Sequence, residues 1–434
     1  MKTLTVFEHS YIAVSEDASD LHLLPNEVDA LDRAQKSMGA KAFTWAGRRR
    51  IKAAQFVGVI ATPSVRLEIL PKIEKADHIE TRGTLIKMIG AALSIPIYDG
   101  EITALNTQDR DLLEILILVF ARRLASEVRK GLTRNYSRHR DDLARLRGKL
   151  NVTRQFTKFA AMPQTLACEF DEFSPDNPLN QLLACTTSLL MRRTQSSGTQ
   201  RLLAEIDCYF SAVSAVTVQQ ALSEKIVLDR KNQRWDVCVK LARLLLQALY
   251  QTVHGGRRDG VALLFDMNKL FEAYVTRVSQ KTLRPLGYTV LSQRPQRALV
   301  RDGSGQKAFI TKPDIYIEGH GQVFIIDTKW KSLDFSKSNY GISQSDAYQM
   351  HGYARVYDAS ATILLYPQMG DKSGAFASWV FEKSEAHLQV AAINIIDKNQ
   401  MAEDLLSLIQ PKRNFQIASS VSDQDKRSYS DVLV

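Results

Sequence analysis

Residues Thr311 to Lys331 read TKPDIYIEGHGQVFIIDTKWK. Two β-branched apolar runs flank Gly319-His320-Gly321, and that turn chemistry predicts two strands folded back antiparallel. Runs of this kind are core strands, which acids and lysines avoid unless paired or binding something. Yet Asp314 opens the pair directly after Pro313, and Asp327-Thr328-Lys329 closes it. Strand side chains alternate, so Asp327 and Lys329 share one face while Thr328 and Trp330 take the other. Pro313 has no N–H and starts a strand rather than sitting within a ladder. The turn predicts that Asp314 and Asp327 approach each other, forming an oxygen-only site suited to Mg²⁺, with Mn²⁺ as the alternative. Such an ion polarises a phosphodiester and lowers the pKa of a bound water. Lys329 would orient or deprotonate that water, or stabilise the developing charge. A buried structural ion pair is the bland reading; two acids and one lysine are a poor set for simple neutralisation in a core.

The surrounding sequence alternates helix and strand from about residue 256. FDMNKLFEAYVTRVSQKTL is a helix carrying Glu272, and SQSDAYQMHGYARVY is another, on which Gln349 and Tyr353 are four apart and share a face. YTVLSQRP, KAFITKPDIYIEG, QVFIIDTKW, ATILLYP and FASWVFEK are strands, giving a mixed sheet flanked by helices. Glu272, Gln349 and Tyr353 therefore join Asp314, Asp327 and Lys329 as candidate site residues. A surface acid and a packing pair are the competing readings for these three.

Further upstream the pattern differs. Residues 1–105 are expected to form a β-rich domain with one helix from Pro25 to about Ala40, and residues 106–255 a mainly helical region. The segment LRGKLNVTRQFTKF within that region is basic and turn-like. Residues 256–410 form the C-terminal α/β domain, and residues 411–434 a polar tail. The whole is a multidomain α+β chain.

A chain of 434 residues is long enough for two or three such cores. Its net charge of +10 favours an anionic partner, nucleic acid first among them. Cys168, Cys185, Cys208 and Cys238 show neither a C-x-x-C pair nor a disulfide framework, which suits a reducing compartment. The longest apolar run, LLEILILVF from Leu112 to Phe120, is too short to span a membrane, and the N-terminus has no signal-peptide pattern. The chain reads as cytoplasmic.

The motif KPD…IIDTKWK together with QMHGYA resembles the PD-(D/E)xK nuclease core with the Q-x-x-x-Y extension of RecB-like members. VRLEILPKI, LRGKLNVTRQ, CEFDEFSPDNPLNQLL and FDMNKLFEAYV, in that order, resemble the McrC subunits of McrBC-type restriction systems, and the likeness spans about residues 55–400. That resemblance implies an endonuclease subunit of a GTP-dependent, 5-methylcytosine-type restriction complex. The C-terminal domain would cut double-stranded DNA, with Asp314 and Asp327 as metal ligands, Lys329 as the catalytic lysine and Glu272 as a further acid. It implies a hexameric McrB-like AAA+ GTPase as partner, whose ring the N-terminal part enters and whose hydrolysis it stimulates. The chain has no G-x-x-x-x-G-K-[ST] loop, so GTP would be bound by the partner. Two alternatives stand beside this reading: a ring activator that keeps the nuclease fold as scaffold, and a nuclease whose partner reads an unmodified sequence.

Overall fold

The computed structural model of the protein describes residues 2–17, 21–37, 39–74, 76–97, 110–162, 164–250, 260–368, 370 and 373–410. The three domain boundaries expected from sequence, and the tail 411–434, lie outside the described residues. The chain divides into two compact units, Met1–Leu270 and Phe271–Val434.

In the first unit, β1 (Lys2–Phe7), β5 (Phe56–Ala61) and β6 (Val65–Leu70) lie in one sheet, β1 pairing parallel to β6 and β5 antiparallel to it. Between β1 and β5 the chain forms β2 (Tyr11–Ala13), α1 (Pro25–Ser37), β3 (Phe43–Trp45) and β4 (Arg50–Ala53). Their apolar faces close a core of Ile12, Leu31, Phe43, Ile51, Ile60 and Leu67. Strand β6 is buried along its whole length although it carries Arg66 and Glu68. Buried charges must be paired. Arg82, on α2 (His78–Ala92), makes a two-pronged contact to Glu68 at 3.0 and 2.7 Å. Arg66 pairs with Asp111, the N-cap of α3 (Leu112–Val128).

The fourth strand of this sheet comes from far along the chain. Strand β10 (Val261–Asp266), which the sequence reading put at the head of the C-terminal domain, pairs antiparallel with β5. Gly58 marks the pairing: its φ is +135°, and a Cβ there would lie 1.9 Å from the Leu263 carbonyl oxygen, so only glycine fits.

The region read as mainly helical is mostly helix among its described residues, and it also holds a small sheet that the reading missed. β7 (Asn135–Leu143), β8 (Lys149–Leu150) and β9 (Leu166–Ser174) form a small sheet, with α4 (Val152–Lys158) between the last two. Strand β7 is rich in charge and mostly exposed, so it lacks the apolar alternation that announces a strand. Arg138 and Arg140 on β7 both reach Glu169 on β9, at 2.5 and 2.9 Å. Helices α5 (Pro178–Met191), α6 (Ser197–Asp207), α7 (Val218–Ser223) and α8 (Asp236–Tyr250) complete the unit, α5 starting at the Asn177 cap with a proline in its first turn.

The boundary between the units falls within α9 (Met267–Leu283). The second unit holds β11 (Thr289–Ser292), β12 (Arg297–Arg301), β13 (Lys307–Thr311), β14 (Ile315–Gly319), β15 (Gln322–Thr328), α10 (Gln344–Tyr357), β16 (Ala361–Pro367), β17 (Gly374–Val380), β18 (His387–Ile393) and α11 (Lys398–Ile409). Six of these strands make one sheet in the order β11-β14-β15-β16-β18-β17, with β15, β16 and β18 mutually parallel where they adjoin. Met350, Tyr353 and Tyr357 of α10 pack with Ile325, Leu364 and Val390 of the sheet. The run KAFITKPDIYIEG, read as one strand, is two: Pro313 interrupts it, and β13 pairs with β12 in a separate ribbon.

Candidate active site

Strands β14 and β15 pair with Ile315 opposite Ile326. One step further, Asp314 faces Asp327, so the antiparallel register brings the two carboxylates together as the turn chemistry predicted. Asp314 is half-buried; Asp327 is only 3% exposed. Thr328 donates its backbone N–H and its hydroxyl to Asp314 Oδ2, at 2.8 and 2.9 Å.

The ladder carries Lys329 just past the end of β15, its N–H bonding to the Leu365 carbonyl of β16. Its ammonium lies 2.7 Å from Asp327 Oδ2 and 3.2 Å from Asp346 Oδ1. The buried Asp327 Oδ2 has the Lys329 ammonium as its close neighbour, and no other hydrogen-bond donor to it is found among the described residues. On α10, Gln349 donates to Asp327 Oδ1 at 3.1 Å and to the Tyr353 hydroxyl at 2.9 Å; Tyr353 donates in turn to the Lys312 carbonyl at 3.0 Å. Gln349 and Tyr353 are thus bonded to each other, and they join the candidate acids to the helix.

Glu272 enters from α9, where Gln293 donates to its Oε1 at 2.8 Å. Burial, with the nearby charge of Asp314, pushes the Glu272 carboxyl up to about 7. Burial and Asp314 likewise push Asp327 up to about 6, against the opposing pull of Lys329. At Asp346 burial is outweighed by hydrogen bonds from Lys331 and Ser343 and by Lys329, which hold it at about 2. The site thus contains carboxylates that repel one another and a fourth, Asp346, that stays ionised and anchors the lysine. All six residues predicted from sequence fall in this unit and are linked by these contacts and charges. Asp346, Thr328 and Gln293 were not foreseen. Asp346 precedes Gln349 by three residues on the same helix, a spacing that could have exposed it.

Among the described residues, no group of three or more His, Cys, Asp or Glu side chains forms a ready-made metal site. The donor set nevertheless fits a hard cation. Asp314 and Asp327 offer oxygen ligands, and positive charge would offset the burial and the repulsion that raise both Asp327 and Glu272. Among the described residues no helix is long and apolar enough to cross a membrane.

Asp314, Asp327 and Lys329 thus meet at the ends of the antiparallel pair β14–β15, in a mixed α/β chain of two units. A family model described as McrBC 5-methylcytosine restriction system component matches residues 51–367, and the chain belongs to that family. The refined half-complex from the tetradecameric assembly of Thermococcus gammatolerans McrB AAA+ hexamers with bound McrC contains a chain of similar fold. Its TM-score is 0.71 at 22% identity, over 94% of this chain and 100% of that one. A chain in the cryo-EM structure of the Thermococcus gammatolerans McrBC complex is similar at TM-score 0.52 and 26% identity, over 65% of this chain and 88% of that one. No curated protein matches.

Proposed function

We propose that this chain is the nuclease subunit of a GTP-dependent, modification-dependent restriction complex. Its partner is a McrB-like AAA+ GTPase hexamer and its substrate double-stranded DNA bearing 5-methylcytosine. The observation that carries the reading is the register that sets Asp314 against Asp327 with Lys329 at the same strand end, in a chain of this family. The second unit is then a PD-(D/E)xK nuclease domain, and the first unit engages the ring and stimulates GTP hydrolysis.

In this reading Asp314 and Asp327 hold Mg²⁺ or Mn²⁺, with Glu272 as the neighbouring third acid. The bound ion supplies Lewis-acid polarisation of the phosphodiester and acidifies a water. Thr328 fixes the rotamer of Asp314, and Gln349 fixes that of Asp327. Lys329, held between Asp327 and Asp346, presents a cation where charge builds on the phosphate. Glu272, with its carboxyl near 7, can accept a proton at neutral pH. A scaffold without chemistry has no need of buried acids that repel one another, which weighs against the activator-only alternative.

The test mixes the chain with a McrB-like AAA+ GTPase from the same source and follows cleavage of methylated and unmethylated plasmid with GTP and Mg²⁺. Cleavage confined to methylated DNA and lost in Asp327→Ala is expected. Equal cleavage of both plasmids would move the specificity to an unmodified sequence. Undiminished GTPase stimulation with no cleavage under any metal would leave only the activator.

A further inference from the structure

We infer that the ribbon β12–β13 and the adjoining edge of α10 form a phosphate-binding groove that seats the duplex backbone next to the cut site. This deepens the proposed nuclease function and rests on it for the identity of the ligand. From Arg294 to Lys312 the chain carries five cations and one carboxylate. That carboxylate, Asp302, is engaged by Ser304 and Gln306 in the turn. The register sets Arg297 opposite Thr311 and Arg301 opposite Lys307, so strand alternation puts Arg297, Arg301 and Lys307 on one face of the ribbon. With Arg355 of α10 they line an open groove of about 490 Å³.

Like charges placed directly across a strand pair are destabilising. Neither Arg301 nor Lys307 has an ion-pair partner among the described residues to offset that cost. A ligand supplying successive anionic groups would do so, and a nucleic-acid backbone does this at every nucleotide. The groove is also held in place. Arg297 lies over the Tyr357 ring at 5.0 Å and donates to the Val356 carbonyl at 3.1 Å, while the Tyr357 hydroxyl donates to the Pro295 carbonyl at 2.7 Å. The same helix carries Gln349 and Tyr353, and β13 runs directly into Lys312-Pro313-Asp314. Lys307 precedes Asp314 by seven residues. Extended chain covers at most about 25 Å over that length, or roughly seven base pairs of duplex. Cations at this reach position the substrate without reading its sequence.

The experiment measures binding of the full chain to a fluorescent 30-base-pair duplex in EDTA, over a range of salt, for wild type, Arg301→Ala, Lys307→Ala and the double variant. Each lost phosphate contact should lower the slope of log affinity against log salt by about 0.9, and the double variant by about 1.8. Lys307→Arg should keep the wild-type slope. The melting temperature of the double variant should equal or exceed that of wild type, since it relieves a repulsion. A wild-type slope in the double variant overturns the groove, as does absence of duplex binding by wild type at low salt. Loss of partner binding with duplex binding intact would assign the groove to the protein partner and overturn it equally. Reduced slopes in a chain that never cleaves DNA with its partner would sink the nuclease reading and leave the groove standing.

Discussion

Thr328 donates two hydrogen bonds to a single oxygen of Asp314, from its backbone at 2.8 Å and its hydroxyl at 2.9 Å. One residue of β15 thereby sets the carboxylate of the neighbouring strand. Thr328→Val keeps the shape and the backbone bond but removes the hydroxyl, a loss on the order of 1 kcal/mol at a half-buried acceptor. Mn²⁺ affinity by calorimetry should weaken about fivefold with the fold intact, and Thr328→Ser should restore it. Identical isotherms for wild type and the valine variant would remove Asp314 from the metal shell.

Lys329→Ala should abolish DNA cleavage and leave stimulation of the partner's GTPase near wild type. A group aimed at developing charge is typically worth on the order of 10² to 10³ in rate. The lysine lies at the strand end, its half-buried side chain contacts Asp327 and Asp346, and an alanine keeps its backbone bond to Leu365, so its loss should not unfold the unit. GTP turnover and plasmid cleavage are read on one preparation, with circular dichroism as folding control. Loss of both activities in folded protein would tie the second unit to the motor.

The raised carboxyl of Glu272 makes stability depend on pH with a definite sign. Its folded pKa, about 7, lies above the ordinary carboxylate value of 4.5, so the folded state binds the proton more tightly than the unfolded. Its contribution is therefore fully present below about 4.5 and is lost as pH rises through 7. Metal-free wild type should lose on the order of 1–2 kcal/mol between pH 5 and 8 relative to Glu272→Gln, after allowance for solvent screening. Thermal melts of the two proteins across that range supply the difference, and parallel curves would show that the acid is not held against its charge.

Within the first unit, Glu68→Ala removes the two-pronged contact with Arg82 and the acceptor of the Leu112 N–H and the Thr5 hydroxyl. Removing one member of a buried pair costs about 3–5 kcal/mol. The paired change Glu68→Met with Arg82→Met should cost less than either single change. Chemical denaturation gives the four stabilities, and additivity would show that the two residues act independently.

A fragment of residues 1–270 should fold and stimulate the partner's GTPase, whereas residues 1–255 should aggregate. The shorter fragment lacks β10 and leaves the apolar edge of β5 unpaired. Gel filtration separates the outcomes; a monodisperse, active 1–255 fragment would show that β10 is dispensable.

Sequence and structure agree most closely where local chemistry is decisive. Gly319-His320-Gly321 forces the turn, and the turn sets the register of the two aspartates, so that part of the site was legible. The helix carrying Gln349 and Tyr353 was legible from its period, but its bond to Asp327 is a tertiary fact. The ammonium of Lys329 is held as much by Asp346, seventeen residues further along, as by its strand neighbour. Strand β7 escaped notice because a solvated ribbon of Arg, His and Asp has no apolar period to read. Strand β10 was recognisable neither as a separate strand nor as a partner of β5, because long-range pairing leaves no mark in the local pattern.

The pairing of β5 with β10 also has a consequence for biosynthesis. About 200 residues separate Ala61 from Val261, which pair with each other. At ribosomal rates of 5–20 residues per second, the sheet edge at β5 would wait roughly ten to forty seconds for its partner strand. Throughout that interval the nascent chain carries an open, apolar edge that invites other chains. The helices α3 to α8 are made during the wait and can form early, since their contacts are local. The last strand to emerge then closes the first sheet, so the N-terminal unit becomes complete only as synthesis of the second unit begins.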